Sequence, residues 1–261
     1  MSRFIRYQHY TLPLFLESSC TVLKWLFFVV FILLGIALAK PALLHIAHLR
    51  NWQWTGTHYD HIPTQQRTIA LTFDDGPGHA SDSVLAILAR AGVKATFFLT
   101  GAEMSHEPEC TKRIISAGHE IGNHSWSHQA LMFRSPAFIR SEVERTDSII
   151  RALGYKGTIR FRPPFGTKLF YLPYFLSQTN RQTILWDIAP DLDLSLRFNA
   201  DSIVQFTTRN ARPGSIILLH TMYDSVSASL TALPRILHSL QKEGYIVTSV
   251  GDLLNNTGPV R

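Results

Sequence analysis

From Arg67 onward, short apolar runs rich in β-formers alternate with capped helical patterns, and this alternation narrows the fold more than any other feature of the chain. A strand is expected over Thr68–Phe73. Ser81 can cap a helix reaching Ala91, with Gly92 just past its end. Ala95–Leu99 is the next β-rich run. A helix over Pro108–Ala117 stops at Gly118, and residues 119–122 form a short strand. Ser135-Pro136 supplies a cap and a first-turn proline for a helix to Leu153, ended by Gly154. Strands follow at Thr158–Arg162, Thr183–Ile188, Ser215–His220 and Tyr245–Ser249, with helices near 201–210 and 231–243. Strands alternating with helices imply a parallel sheet under a helical layer, and about seven such units predict an α/β barrel of (β/α)7 type, closed or nearly so. In barrels the chemistry collects where the strands end. The polar motifs should then follow the apolar runs, and they do.

The N-terminal region is different in kind. Trp25 to Ala39 is an apolar run of fifteen residues without a charge, extended by Val22 and Leu23 beyond Lys24. A spanning helix takes ~20 mostly apolar residues, with a lower bound near 17. The expectation is one transmembrane signal-anchor at residues 21–39. Arg3, Arg6 and Lys24 precede it, which favours residues 1–20 in the cytoplasm and everything after residue 40 outside it. Ala37-Leu38-Ala39 also resembles a signal-peptide cleavage site, so a secreted product stays open. Residues 40–66 read as a stalk, 67–254 as the main domain and 255–261 as a C-terminal tail.

Charge and cysteine content exclude other classes. The net charge of +6 divides evenly, +3 on residues 1–66 and +3 on 67–261, with no basic block, so no nucleic-acid partner is expected. Cys20 and Cys110 are the only cysteines, too few for a disulfide framework. A metal site in the main domain must therefore use histidine and carboxylate ligands.

Four motifs carry chemistry. Thr72-Phe73-Asp74-Asp75-Gly76-Pro77 places two carboxylates where a strand enters a turn, one suited to a metal and the other to a base. His124-Ser125-Trp126-Ser127-His128 spaces two histidines four apart. On a helical turn they would face one way, and with a carboxylate they make a His₂-Asp metal set that leaves room for water. In Arg162-Pro163-Pro164-Phe165-Gly166 the prolines cannot donate, so Phe165 N–H is a candidate oxyanion donor, while Arg162 can pair with a carboxylate. Ile216–Leu219 ends in His220, a candidate general acid.

Taken together, TFDDGP, HSWSH, RPPFG and LLH, in this order, resemble the polysaccharide deacetylase family, which shares the NodB homology domain and is also called carbohydrate esterase family 4. The resemblance covers about Arg67 to Leu254. It implies a distorted (β/α)7-type barrel and a divalent metal, often Zn²⁺. It also implies Asp75, His124 and His128 as metal ligands, Asp74 as general base and His220 as general acid. Arg162 would support the base, and Leu218 would form an apolar wall of the acyl pocket. The implied reaction is attack of metal-activated water on an N-acetyl group of a polysaccharide or oligosaccharide, with Phe165 N–H helping to hold the oxyanion. A deformylase of lipid-linked formamido sugars, an O-acetyl polysaccharide esterase and a non-catalytic carbohydrate binder are the alternatives.

One family motif departs from its usual form. Where relatives carry D-x-x-D-W, this chain has Trp186-Asp187-Ile188-Ala189-Pro190-Asp191-Leu192-Asp193, with Ala189 and Leu192 at the acidic positions. Either Asp191 or Asp193 could then orient His220 from the same loop.

Overall fold

A computed structural model describes residues 15–223 and 227–256. The expected cytoplasmic segment up to residue 14 and the tail from 257 lie outside the described residues. The chain divides into two units, Met1–Ile46 and Ala47–Arg261.

In the first unit the described residues belong to a helix, α1 (Phe15–His48), whose apolar side chains from Leu23 to Leu34 are exposed. The expected transmembrane helix is not borne out, because no helix among the described residues is long and apolar enough to cross a membrane. The uncharged run Trp25–Ala39 is bounded by Lys24 and Lys40. As a helix it extends about 22 Å, against a hydrocarbon core of about 30 Å. The single-pass membrane anchoring, and the placement of the domain outside the cytoplasm that rested on it, fall with that helix.

The second unit is the α/β body. Its strands are β1 (His58–Tyr59), β2 (Thr68–Asp74), β3 (Thr96–Leu99), β4 (Glu120–Asn123), β5 (Thr183–Ile184), β6 (Ile216–Leu219) and β7 (Ile246–Thr248). Its helices are α2 (Ser81–Ala91), α3 (Gly101–His106), α4 (Pro108–Ser116), α5 (Pro136–Ala152), α6 (Tyr171–Gln178), α7 (Ala200–Asn210), α8 (Ser227–Lys242) and α9 (Val250–Asn256). Parallel ladders join the strands in the order β4-β3-β2-β6, with β7 on the first half of β2. A second parallel pair is β1-β5.

The seven-stranded barrel is not realised as closed ladders. Single parallel bridges, Asn123↔Phe161, Phe161↔Thr183 and Ile188↔Ile217, run between the two sheets instead. The expected strand Thr158–Arg162 pairs only through Phe161, because Pro163 and Pro164 follow at once and have no N–H to donate. The run Thr183–Ile188 likewise keeps only two ladder residues.

Every residue of β2 is buried, as a parallel strand covered on both faces requires. Side chains alternate along it. Ile69, Leu71 and Phe73 pack with Val84, Leu88, Leu233 and Leu237 of the helical layer. Ala70 faces the other way, into a cluster with Phe98, Ile184, Trp186 and Leu218. Thr72 and Asp74 share that inner face by the period of two. The strand thus carries a polar pair to the end of an apolar interior.

The segment before β2 is tied to the body at Gly214. Ile62 N–H donates to Gly214 O at 2.9 Å, and Gly214 N–H donates to Thr68 O at 2.8 Å. Gly214 has φ +85°, and a Cβ there would sit 1.8 Å from the Ile62 carbonyl oxygen. Gly214→Ala is therefore expected to lower stability by about 1–3 kcal/mol, read as a lower urea midpoint. Gly92→Ala, at φ +64° but with nothing within 4 Å, should lose less.

Candidate active site

The site is built around Arg162, which is fully buried. Its Nη1 donates to Asp74 Oδ1 at 2.6 Å and to Thr72 Oγ1 at 2.8 Å. Nε donates to Ile184 O at 3.1 Å and Nη2 to Leu185 O at 3.0 Å. The guanidinium also lies 4.1 Å from the Phe98 ring centroid and 5.5 Å from that of Trp186. Burial pulls the Arg162 pKa down, and the charge and hydrogen bond of Asp74 oppose the shift. Asp74 is thereby fixed in one rotamer, with Oδ2 turned toward His124 Nε2 at 3.7 Å.

Asp75 follows in the left-handed region at φ 68°. This reverses the chain and overcomes the alternation that would send adjacent carboxylates to opposite faces. Asp75 Oδ1 lies 3.2 Å from His128 Nε2 and 3.7 Å from His124 Nε2. Ligand atoms of Asp75, His124 and His128 fall within 4.8 Å of one another.

The two histidines do not sit on a helical turn, as their spacing suggested. Residues 124–128 are a loop in which Ser125 (φ 64°) and His128 (φ 54°) are left-handed. Hydrogen bonds to side chains replace the helical ones. Asn123 Oδ1 accepts from Ser125 N–H at 2.8 Å. Glu142 Oε2 accepts from Trp126 N–H at 3.0 Å and Ser127 N–H at 2.8 Å. Ser125 Oγ accepts from His128 N–H at 3.2 Å. The His124 tautomer follows from its partner. Nδ1 is 2.8 Å from the Arg162 carbonyl, which can only accept, so Nδ1 carries the proton and Nε2 keeps its lone pair. Burial and then His124 push the His128 pKa down, despite Asp75 and Asp74. A neutral imidazole is the form that binds a metal.

Asp75 Oδ1 is buried yet has no hydrogen-bond partner. A carboxylate oxygen left in that state beside two imidazole nitrogens fits a divalent cation.

His220 enters from the end of β6. Its Nε2 is 4.0 Å from Asp75 Oδ2, while its Nδ1 is 3.3 Å from Asp191 Oδ1. Asp191 is buried, and Oδ2 also accepts from His220 N–H at 2.6 Å and Ser229 Oγ at 3.0 Å. Burial lowers the His220 pKa, but the Asp191 hydrogen bond and charge, then Asp74 and Asp75, outweigh it and raise it to about 9. Asp193 instead turns to Ser195, accepting from its N–H at 2.8 Å and its Oγ at 2.6 Å. Asp187 accepts from Ser215 Oγ at 2.9 Å and Ile216 N–H at 2.8 Å. The structure thus brings Asp191, and neither of its neighbours, to the histidine. Leu218 is buried beside Trp186 and Phe98. Phe165 is left-handed (φ 60°) and lays its ring 4.8 Å from that of His128. A cavity of about 250 Å³ opens at Asp75 and His128, with Glu103, Trp126 and Tyr223 on its walls.

Sequence reasoning missed the residues that hold the loops: Thr72, Asn123, Glu142 and Ser229. Glu142 alone had a readable signal. It lies at a core position of α5, with Ile139, Val143, Thr146 and Ile150, where a carboxylate calls for a partner.

A sequence profile described as polysaccharide deacetylase matches residues 61–183. The chain is 31% identical over 194 residues to a peptidoglycan-N-acetylglucosamine deacetylase of Bacillus cereus, covering 74% of this chain and 91% of that protein. It belongs to the polysaccharide deacetylase family. A solved peptidoglycan N-acetylglucosamine deacetylase superposes with TM-score 0.71 at 30% identity, over 76% of this deacetylase and 92% of that chain. A family pseudoenzyme from Bacillus anthracis superposes with TM-score 0.70 at 27% identity, over 77% and 69% of the two chains. The protein is a hydrolase of the polysaccharide N-deacetylase type, from a family of metal-dependent enzymes.

Removing one partner of the buried pair should be costly. Arg162→Met leaves the Asp74 carboxylate buried without its counter-ion, and a loss of about 3–5 kcal/mol in urea unfolding is expected. Adding Asp74→Asn to it should recover part of that loss in a double-mutant cycle.

Proposed function

We propose that this protein removes the N-acetyl group from an amino sugar of a polysaccharide, with peptidoglycan-type glycans the first substrates to test. One observation carries the reading. A partnerless Asp75 oxygen and two imidazoles share one locus, flanked by an arginine-bound carboxylate and a carboxylate-bound histidine.

Asp75, His124 and His128 would hold the divalent ion. Zn²⁺ suits a His₂-Asp set best, though other divalent ions accept the same donors. When bound, the ion supplies Lewis acidity and lowers the pKa of a water toward ~7. Asp74 takes the proton from the attacking water. Arg162 donates to one of its oxygens, and that leaves the other toward the site. His220 gives a proton to the departing amine, and Asp191 keeps Nδ1 protonated so that the proton moves through Nε2. Phe165 N–H donates to the oxyanion that forms on the carbonyl oxygen. Leu218 walls the methyl group of the acyl chain. Asp191 replaces the acidic residues missing at 189 and 192, so the altered motif does not remove the acid. Residues 67–254 would form the catalytic domain.

The pseudoenzyme among the similar structures favours a second reading, a non-catalytic carbohydrate binder. The set Asp74, Asp75, His124, His128, Arg162 and His220 argues against it, since all six side chains are present and interconnected.

The test is acetate and free-amine release from chitooligosaccharides and peptidoglycan by the full chain with added Zn²⁺. Release is expected, with loss on chelation and recovery on metal return. Asp74→Asn should lower kcat by about 10²–10⁴-fold. Metal bound with no release from any N-acyl sugar would sink the catalytic reading and leave the binder.

A further inference from the structure

Two loops leave the site side by side and meet again one step away. One runs from His128 to Leu131-Met132-Phe133-Arg134. The other runs from Phe165 to Lys168-Leu169-Phe170-Tyr171. They begin in contact, at the His128 and Phe165 rings, and together they line a second cavity of about 160 Å³.

The rim of this cavity is aromatic, and the fold does not account for it. Phe133 is 63% exposed and Phe170 is 54% exposed, while Phe165 at 60% leads back to the reacting centre. A single exposed phenylalanine is ordinary, but several on converging loops mark a binding surface. Phe133 is also held at φ 61°. A β-carbon in that region costs about 1–2 kcal/mol, which glycine would avoid. The rim is rigid. Trp54 Nε1 donates to the Phe170 carbonyl at 3.0 Å, and the Tyr171 ring stacks on Phe175 with 8° between planes.

We infer that Phe133 and Phe170 form a platform for a sugar ring further along the substrate chain, distinct from the ring that loses its acetyl group. The electron-rich face of an aromatic ring attracts the polarised C–H face of a pyranose. Among the described residues no carboxylate lines this cavity, whereas Arg134 and Lys168 do, so an acidic substituent on that sugar is not repelled. The inference rests on the proposed action on a polysaccharide. It adds that chain length matters and names the residues that read it.

Phe133→Gly and Phe170→Ala test it against N,N′-diacetylchitobiose and chitohexaose. Each variant should raise KM for the hexamer about three- to ten-fold and leave the dimer unchanged. Phe133→Gly should keep or raise Tm, because it relieves the left-handed backbone. If it fails to fold, Phe170→Ala decides alone. Equal weakening of both substrates, or no change for the hexamer, overturns the platform. Binding of chitohexaose by titration calorimetry in the Asp74→Asn background separates the two claims. If wild type releases no acetate yet the aromatic variants bind the hexamer more weakly, the platform stands and the enzymatic reading falls. If binding is unaffected, the platform falls whatever the activity.

Discussion

The buried pair Arg162–Asp74 is the interaction on which the rest of the site depends. Both side chains are removed from water, at 0% and 3% exposure. An ion pair so placed is costly to assemble and more costly to break, since either partner alone would be a desolvated charge. The chain meets this by giving Arg162 four acceptors in all, two of them carbonyls that follow β5 or end it. The arginine therefore joins the end of β2 to the 184–185 segment where no ladder does. Its own carbonyl then sets the His124 tautomer. One residue links base orientation, ligand geometry and the irregular part of the sheet.

Backbone strain is concentrated around the same place. Among the described residues, six non-glycine positions are left-handed, and Asp75, Ser125, His128 and Phe165 are four of them. Such conformations persist where surrounding contacts over-determine them. Here those contacts are visible. Glu142 and Asn123 hold the histidine loop by accepting three hydrogen bonds, two of them at Glu142 from consecutive amides, and Asn123 Nδ2 in turn donates to Val143 O and Asp147 Oδ1 of α5. Irregular loops here bring donor atoms from the ends of different strands to one point. His220 is served differently, by a carboxylate that grips both its amide and its ring.

Much of the α/β body could be read from local pattern. The strand Thr68–Phe73, the helix from Ser81 to Ala91 and the helix after Ser135 were announced by apolar runs, caps and terminal glycines, and the structure has them within a residue or so. The Ser135 side chain does accept from Phe138 N–H, whereas Ser81 is the first residue of its helix and makes no cap bond, its Oγ accepting from Gly78 N–H instead. The short helices α3, α6 and α9 were not read, because each depends on packing more than on a capped periodic stretch. The anchor expectation failed on length, since fifteen uncharged residues are too few.

The sequence by itself determined which side chains are available: two adjacent acids after a strand, two histidines four apart, an arginine before two prolines, and a histidine ending an apolar run. Each sits at the C-terminal end of an apolar run, and that order is local information. The tertiary structure decided how they combine. It turned Asp75 through a left-handed residue, opened the histidine spacing into a loop, and chose Asp191 over Asp187 and Asp193 as the partner of His220. The site joins groups far apart in sequence, 90 positions for Thr72 and Arg162 and 145 for Asp75 and His220. No local pattern in a chain carries such a distance, because long-range packing sets it.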